Sequence, residues 1–397
     1  MKIKNIEKAA ERIRQAATNK ERVIIYGDSD MDGIASVVIL GEAIKNLGGQ
    51  IFSAVFPDRE KDGYGLNMKA LEFLKDKAPS LLITLDLGIG NIKEIKMANE
   101  MGFEVIVVDH HQPLESMPEA LIIVDPQQEG DESGFGYLCN AGLTFKLIEE
   151  LLQDNFSDLP AQAGNLRNSF LELVALATIA DMVPQVKDNK IYIEKGLRSL
   201  LKTFRPGLQS FLDILGEGFV ASGGFMKIIS ALNASESTSF SSEGGSASGG
   251  ENESYKLLTS SSYEECQDIA GRLLGKVQLK QETIKNIVSE IEKRVNKNPD
   301  EEIVFEGDPA WRLVLAGPVA SIISQEYKKP TFIFKREDNE SCGSVRLFQD
   351  DQNSVNAMKT CADILVTYGG HPKASGFRIK TENLDEFKKR LIEYFKK

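Results

Sequence analysis

Apolar positions along the chain fall first at helical and then at strand spacing. Ile6, Ala9, Ala10, Ile13, Ala16 and Ala17 recur every three to four residues, which predicts an opening amphipathic helix. Five short apolar runs follow, Val23–Tyr26, Ile51–Phe56, Leu81–Leu85, Val105–Val108 and Leu121–Val124. Helix-compatible segments such as Ile34–Leu47 and Asn91–Met101 separate them. The alternation predicts βα units, hence an α/β fold whose parallel sheet is covered on both faces.

From Ala141 to Ala180 the pattern is mostly helical, and Pro184 stops a helix from running on through Asp181. Residues 234–255 are Ser, Gly and Glu with hardly an apolar side chain, the composition of a mobile insertion or linker. Tyr263–Val295 reads as one or two long helices. A second, smaller α/β region starts near Ile303, with strand-like Arg312–Leu315 and Thr331–Phe334 and a Gly-rich segment from Gly369 to Gly376. The expected division is 1–232, with a helix, a five-stranded sheet and a helical part, then an insertion at 233–256, connecting helices at 257–298 and a C-terminal domain at 299–397. No internal repeat is evident.

Length and composition fit more than one domain core, at 397 residues and 42% hydrophobic content. No apolar stretch approaches the roughly 20 residues that cross a bilayer, and the N-terminus is charged from the start, so a soluble, untargeted, cytoplasmic protein is expected. Cys139, Cys266, Cys342 and Cys361 are far apart with no C-x-x-C spacing, which argues against disulfides and thiolate zinc sites. A formal net charge of −12 disfavours a nucleic-acid partner at first sight. Divalent cations bound at an acidic site would offset that locally.

The candidate chemistry sits where the apolar runs end. Asp28, Asp30 and Asp32 follow the first strand, Asp86 the third, Asp109-His110-His111 the fourth, and Asp181 closes the segment from Leu173. In parallel sheets, ligands bind beyond the carboxyl ends of the strands. Carboxylates crowded there repel one another unless cations hold them, so a multi-metal hydrolytic site is expected. The bland reading of Asp28-Ser29-Asp30-Met31-Asp32-Gly33 is a helix N-cap, but one Asp suffices for that. Gly33 would relieve crowding where the helix begins. Asp86 before Gly88 could be an ordinary turn. Two of the three histidines are adjacent at one strand end and cannot both point into the same core.

Taken jointly, these motifs resemble the DHH phosphoesterase superfamily, and within it the RecJ-like single-stranded-DNA-specific nucleases. Arg59 with Gly63-Tyr64-Gly65-Leu66, Leu138-Cys139-Asn140-Ala141-Gly142, Val174–Asp181 and Arg205-Pro206-Gly207-Leu208 are similar to that group. Gly343-Ser344-Val345-Arg346 and Gly369-Gly370-His371 are similar to its associated C-terminal domain. The resemblance implies an active site in the cleft between the two domains and two divalent cations, Mn²⁺ before Mg²⁺. It implies that Asp28 and Asp30 hold one cation, that Asp32, His110 and Asp181 hold the other, and that Asp86 bridges them. Many relatives outside the RecJ group have His where this chain has Tyr26, so the first cation would rely on Asp28 instead. His111 would touch the scissile phosphate, and Asp109 would orient a histidine ligand. Arg59, Ser344, Arg346, Gly369, Gly370 and His371 would bind substrate, with Gly369 and Gly370 forming an anion nest.

The implied partners are single-stranded DNA or short oligonucleotides and replication or repair proteins. Longer RecJ proteins add an OB-type domain for which this chain leaves no room. Ser230–Ala234 resembles a segment that usually continues into Gly-Arg, so an expected phosphate-binding arginine is missing. Three rivals share the pattern: a nuclease of very short RNA or a phosphodiesterase for linear or cyclic dinucleotides, a non-catalytic replication scaffold, and a pyrophosphatase. Retention of every expected ligand disfavours the scaffold, and the flanking segments disfavour the pyrophosphatase.

Overall fold

The computed structural model describes residues 2–59, 61–113, 116–153, 161–240, 249–297, 299–349 and 352–396. It divides into two compact units, Met1–Val277 and Gln278–Lys397. In the first, strands β1 (Val23–Gly27), β2 (Ile51–Val55), β3 (Ser80–Leu85), β4 (Phe103–Val108) and β5 (Ile122–Val124) form a parallel sheet in the order β2-β1-β3-β4-β5. β1 and β3 are buried along their whole length, which is why they read as unbroken apolar runs.

Helices α1 (Ile6–Thr18), α2 (Met31–Asn46), α3 (Met68–Leu74), α4 (Ile92–Glu100) and α5 (Asn140–Leu152) belong to the same unit. The largest apolar cluster joins α1, α2 and α5 to the helix Ala161–Ala180, and a second one packs α3 and α4 against the strands. α2 starts three residues ahead of the sequence-based expectation because the Asp30 carboxylate accepts from the Asp32 and Gly33 amides, each at 3.1 Å. Gly33 is required there: a Cβ would lie 2.4 Å from the Asp28 carbonyl oxygen. The strand order reverses between β1 and β3, so their carboxyl ends open a crevice.

In the second unit the order is β6-β7-β8-β10-β9, from β6 (Val304–Asp308), β7 (Thr331–Lys335), β8 (Glu340–Arg346), β9 (Leu365–His371) and β10 (Ala374–Lys380). Arg312–Leu315 is not a strand. Arg312 is the N-cap of the helix Leu313–Tyr327, whose Leu315, Ala316, Val319, Ala320 and Ile323 are buried at helical spacing. The Gly369–Gly376 segment is likewise no turn nest, because its two halves pair as antiparallel strands.

Residues 241–248 of the Ser/Gly/Glu segment lie outside the described residues. Its described flanks are built into the fold: Ser237 bridges Asn252, and Phe240 is buried against Tyr26 and Phe73. Tyr263–Val295 is one continuous helix. Among the described residues, no helix is long and apolar enough to cross a membrane.

Candidate metal centre

The first unit brings every predicted metal ligand together, all but Asp181 at the carboxyl ends of its strands. Side-chain atoms of Asp28, Asp30 and Asp86 lie within 4.8 Å of one another, as do those of Asp32, His110 and Asp181, and those of Asp86, His110 and His111. Asp28 to Asp32 leave β1 into α2, Asp86 follows β3, the two histidines follow β4, and Asp181 follows the helix Ala161–Ala180.

His110 is the informative member. Its Nδ1 lies 3.1 Å from the Leu138 carbonyl oxygen, which can only accept, so Nδ1 carries the proton and Nε2 presents a lone pair. That lone pair faces acids: Nε2 is 3.2 Å from Asp86 Oδ1 and 3.8 Å from both Asp32 Oδ2 and Asp181 Oδ2. Nε2 and Asp86 Oδ1 are buried without hydrogen-bond partners. Lone pairs facing one another in a buried site are repulsive, and a cation between them removes the repulsion. An oxygen-rich set with imidazole and no thiolate suits Mn²⁺ or Mg²⁺. The residues present therefore fit the implied metals.

The electrostatics agree. Burial, then the neighbouring acids, pushes Asp86 well above the usual carboxylate range. Burial raises Asp32 to about 6, and burial also raises Asp181. Asp32 is held by the N-terminus of α5, its two oxygens accepting from the Asn140 amide at 2.6 Å and the Ala141 amide at 2.7 Å. Burial pushes Asp30 up too, but the Arg59 charge and the Gly33 amide outweigh it and leave Asp30 lowered.

Arg59, expected to bind substrate, lies on the acids themselves. Its Nε is 2.8 Å from Asp28 Oδ1, and its Nη2 is 2.6 Å from Asp28 Oδ2 and 2.9 Å from Asp30 Oδ2. Asp109 also differs from expectation. The imidazole it orients is His111, whose Nδ1 is 2.8 Å from Asp109 Oδ1, while a backbone carbonyl fixes His110. That hydrogen bond raises His111 to about 9, so an exposed imidazolium stands beside the acids at neutral pH. Tyr26 takes no part, since its hydroxyl donates to the Gly65 carbonyl oxygen at 3.2 Å.

Ser344, Arg346, Gly369, Gly370 and His371 belong to the second unit. Register places Arg346, Ala374 and His371 in one row and Ser344, Gly376 and Gly369 in the next, on one face of the sheet. Gly370 pairs with Ser375 and falls on the other. A cavity of about 350 Å³ includes Gly369, Gly376, Cys342 and Arg378 in its lining.

Comparison with known proteins agrees with this geometry. A model of the DHH family, N-terminal domain, matches residues 22–178, and a model of the DHHA1 domain matches residues 301–397. The chain thus carries a domain of the DHH family followed by a DHHA1 domain. Within that family the kinship is with RecJ: the single-stranded-DNA-specific exonuclease RecJ of Bacillus subtilis is 30% identical over 98% of this chain and 48% of its own length. The protein of that name from Escherichia coli is 26% identical over 98% and 69%. A crystal structure of exonuclease RecJ bound to manganese superposes with a TM-score of 0.78 at 26% identity, covering 100% of this chain and 96% of the other. RecJ of Thermus thermophilus in complex with Mn²⁺ gives 0.76 at 25% identity, covering 100% and 55%. The chain thus spans about half the length of the Bacillus relative.

Proposed function

We propose that this protein is a divalent-metal-dependent phosphodiester hydrolase that acts as an exonuclease on single-stranded DNA. The observation that carries the reading is the lone pair of His110 Nε2, fixed by the Leu138 carbonyl and aimed at three carboxylates. Asp28 and Asp30 would hold one cation, Asp32, His110 and Asp181 the other, with Asp86 between them. The Mn²⁺ named for the RecJ structures is an ion that this oxygen-rich donor set suits. When bound, such a pair supplies the positive charge that activates water and stabilises a leaving oxygen.

The chain's own groups do the rest. Asp109 keeps His111 protonated, and the exposed imidazolium can donate to a phosphate oxygen. Arg59 places a second cation at the acids, within reach of the same phosphate. The reading needs no side chain as a covalent nucleophile, since water attacks phosphorus. Ser344, Arg346, Gly369, Gly370 and His371 would grip the substrate backbone. The reading implies a cytoplasmic enzyme working with DNA repair.

A second reading keeps the chemistry but shortens the substrate to a dinucleotide or very short oligonucleotide. The net charge of −12 favours it, because long phosphate backbones are met by cationic surfaces. One experiment covers both: Mn²⁺-dependent digestion of DNA and RNA oligomers labelled at either end, beside a dinucleotide, with product lengths followed over time. Stepwise shortening of single-stranded DNA from one end is expected. Turnover of the dinucleotide alone would establish the second reading, and full hydrolysis by Asp86→Ala or His110→Ala protein would overturn both.

A further inference from the structure

The segment Leu138–Ala141 belongs to none of the ligand sets, yet it contacts three of the loops that carry them. Leu138 fixes His110, and the Asn140 and Ala141 amides hold Asp32. The Asn140 side chain is fully buried, and its orientation is set by its neighbours. Oδ1 accepts from the Asp86 amide at 2.8 Å and from Ser36 Oγ at 3.0 Å, and Nδ2 donates to the Val108 carbonyl oxygen at 3.0 Å. Asp86 N–H also reaches Val108 O at 3.0 Å, which closes a triangle.

Each corner of that triangle is one step from a ligand. Asp86 has φ 65, a left-handed conformation that a non-glycine residue keeps only when its surroundings enforce it. Val108 precedes Asp109-His110 and ends β4. A site offering one donor and one acceptor side by side is matched by a carboxamide, which presents both, and by no aliphatic side chain.

We propose that Asn140 is a positioning residue of the metal centre, whose carboxamide sets the Asp86 carboxylate against the His110 imidazole while its own amide holds Asp32. This rests on the metal reading above. Asn140→Leu fills the site with a somewhat larger apolar side chain and removes all three side-chain hydrogen bonds, while leaving the Asp86–Val108 bond and the backbone hold on Asp32.

The test uses the full chain and Mn²⁺ alone, read from the electron paramagnetic resonance signal of free Mn²⁺, with circular dichroism for the fold. Asn140→Leu is expected to keep the wild-type spectrum and to bind Mn²⁺ about 10- to 100-fold more weakly. Turnover should fall while KM for the oligonucleotide stays unchanged, a split that general loosening would not give. Asn140→Ala, which adds no bulk, carries the same expectation if the leucine variant does not fold. Wild-type Mn²⁺ affinity in either folded variant overturns the proposal. In the unaltered protein the Asp86 amide should exchange slowly with solvent, and fast exchange would overturn the proposal without any variant. A wild-type chain that binds no Mn²⁺ would instead overturn the functional reading itself.

Discussion

Two adjacent histidines at the end of β4 have opposite characters, set by different partners. His110 is pinned by a carbonyl and presents a lone pair, whereas His111 is pinned by a carboxylate and carries a proton. Because the folded value of His111 is raised to about 9, its contribution to stability is full below the ordinary histidine range and is lost as pH rises through about 9. Asp109→Asn in the metal-free protein should bring the His111 titration down toward 6.5, read from the imidazole resonances by NMR. A titration still near 9 would show that Asp109 is not the cause. The acids act in the same direction at lower pH. Asp32 at about 6, with Asp86 and Asp181 also raised, keeps protons that the unfolded chain releases, so metal-free protein loses stability as pH climbs from the carboxylate range through about 6. Bound Mn²⁺, by holding the carboxylates ionised, would offset that loss. Its stabilisation in thermal melts should therefore be larger at about pH 8 than at about pH 5, and an equal shift at both would contradict a carboxylate site.

At the scale of elements, close packing of helices places Asp181. Gly196 of the helix Lys187–Leu200 faces Leu171 of the helix that ends before Asp181, and a Cβ there would lie 2.1 Å from the Leu171 carbonyl oxygen. Gly196→Ala should destabilise the fold by about 1–3 kcal/mol in denaturant titration, although alanine is the better helix former. A neutral or stabilising result would mean the helices part freely. The elements were legible in sequence in proportion to their burial and length. Val23–Tyr26 and Val105–Val108 announce themselves because a parallel strand covered on both faces carries apolar side chains throughout. Arg312–Leu315 misleads because a four-residue apolar run is too short to separate strand from helix, and the deciding positions lie further on, at Val319 and Ile323. Gly369 and Gly370 do not read as a strand, since glycine is depleted in strands, yet β10 pairs with them. The proposed ligands, Asp181 apart, were readable at strand ends. The partners that orient them were not: Asn140 and Asp32 are 108 positions apart, and no local pattern reports such a hydrogen bond.

For the whole molecule, the division of labour follows the two units. All the proposed metal ligands lie in Met1–Val277, while Arg346 and the residues aligned with it lie in Gln278–Lys397. Arg346→Ala should leave Mn²⁺ affinity unchanged and raise KM for a single-stranded oligonucleotide on the order of 10-fold, the loss of one charged hydrogen bond to phosphate. A fall in Mn²⁺ affinity would contradict that division. Within the first unit, all the acids and imidazoles except Asp181 hang from three neighbouring strands, β1, β3 and β4. Adjacent strands of any sheet keep a pitch of about 4.8 Å. The separation between the groups that would grasp the ions is thus inherited from the hydrogen-bonded ladder, a ruler that side-chain substitution does not stretch. Loops around such a centre can drift and exchange one polymer for another while its reach stays constant.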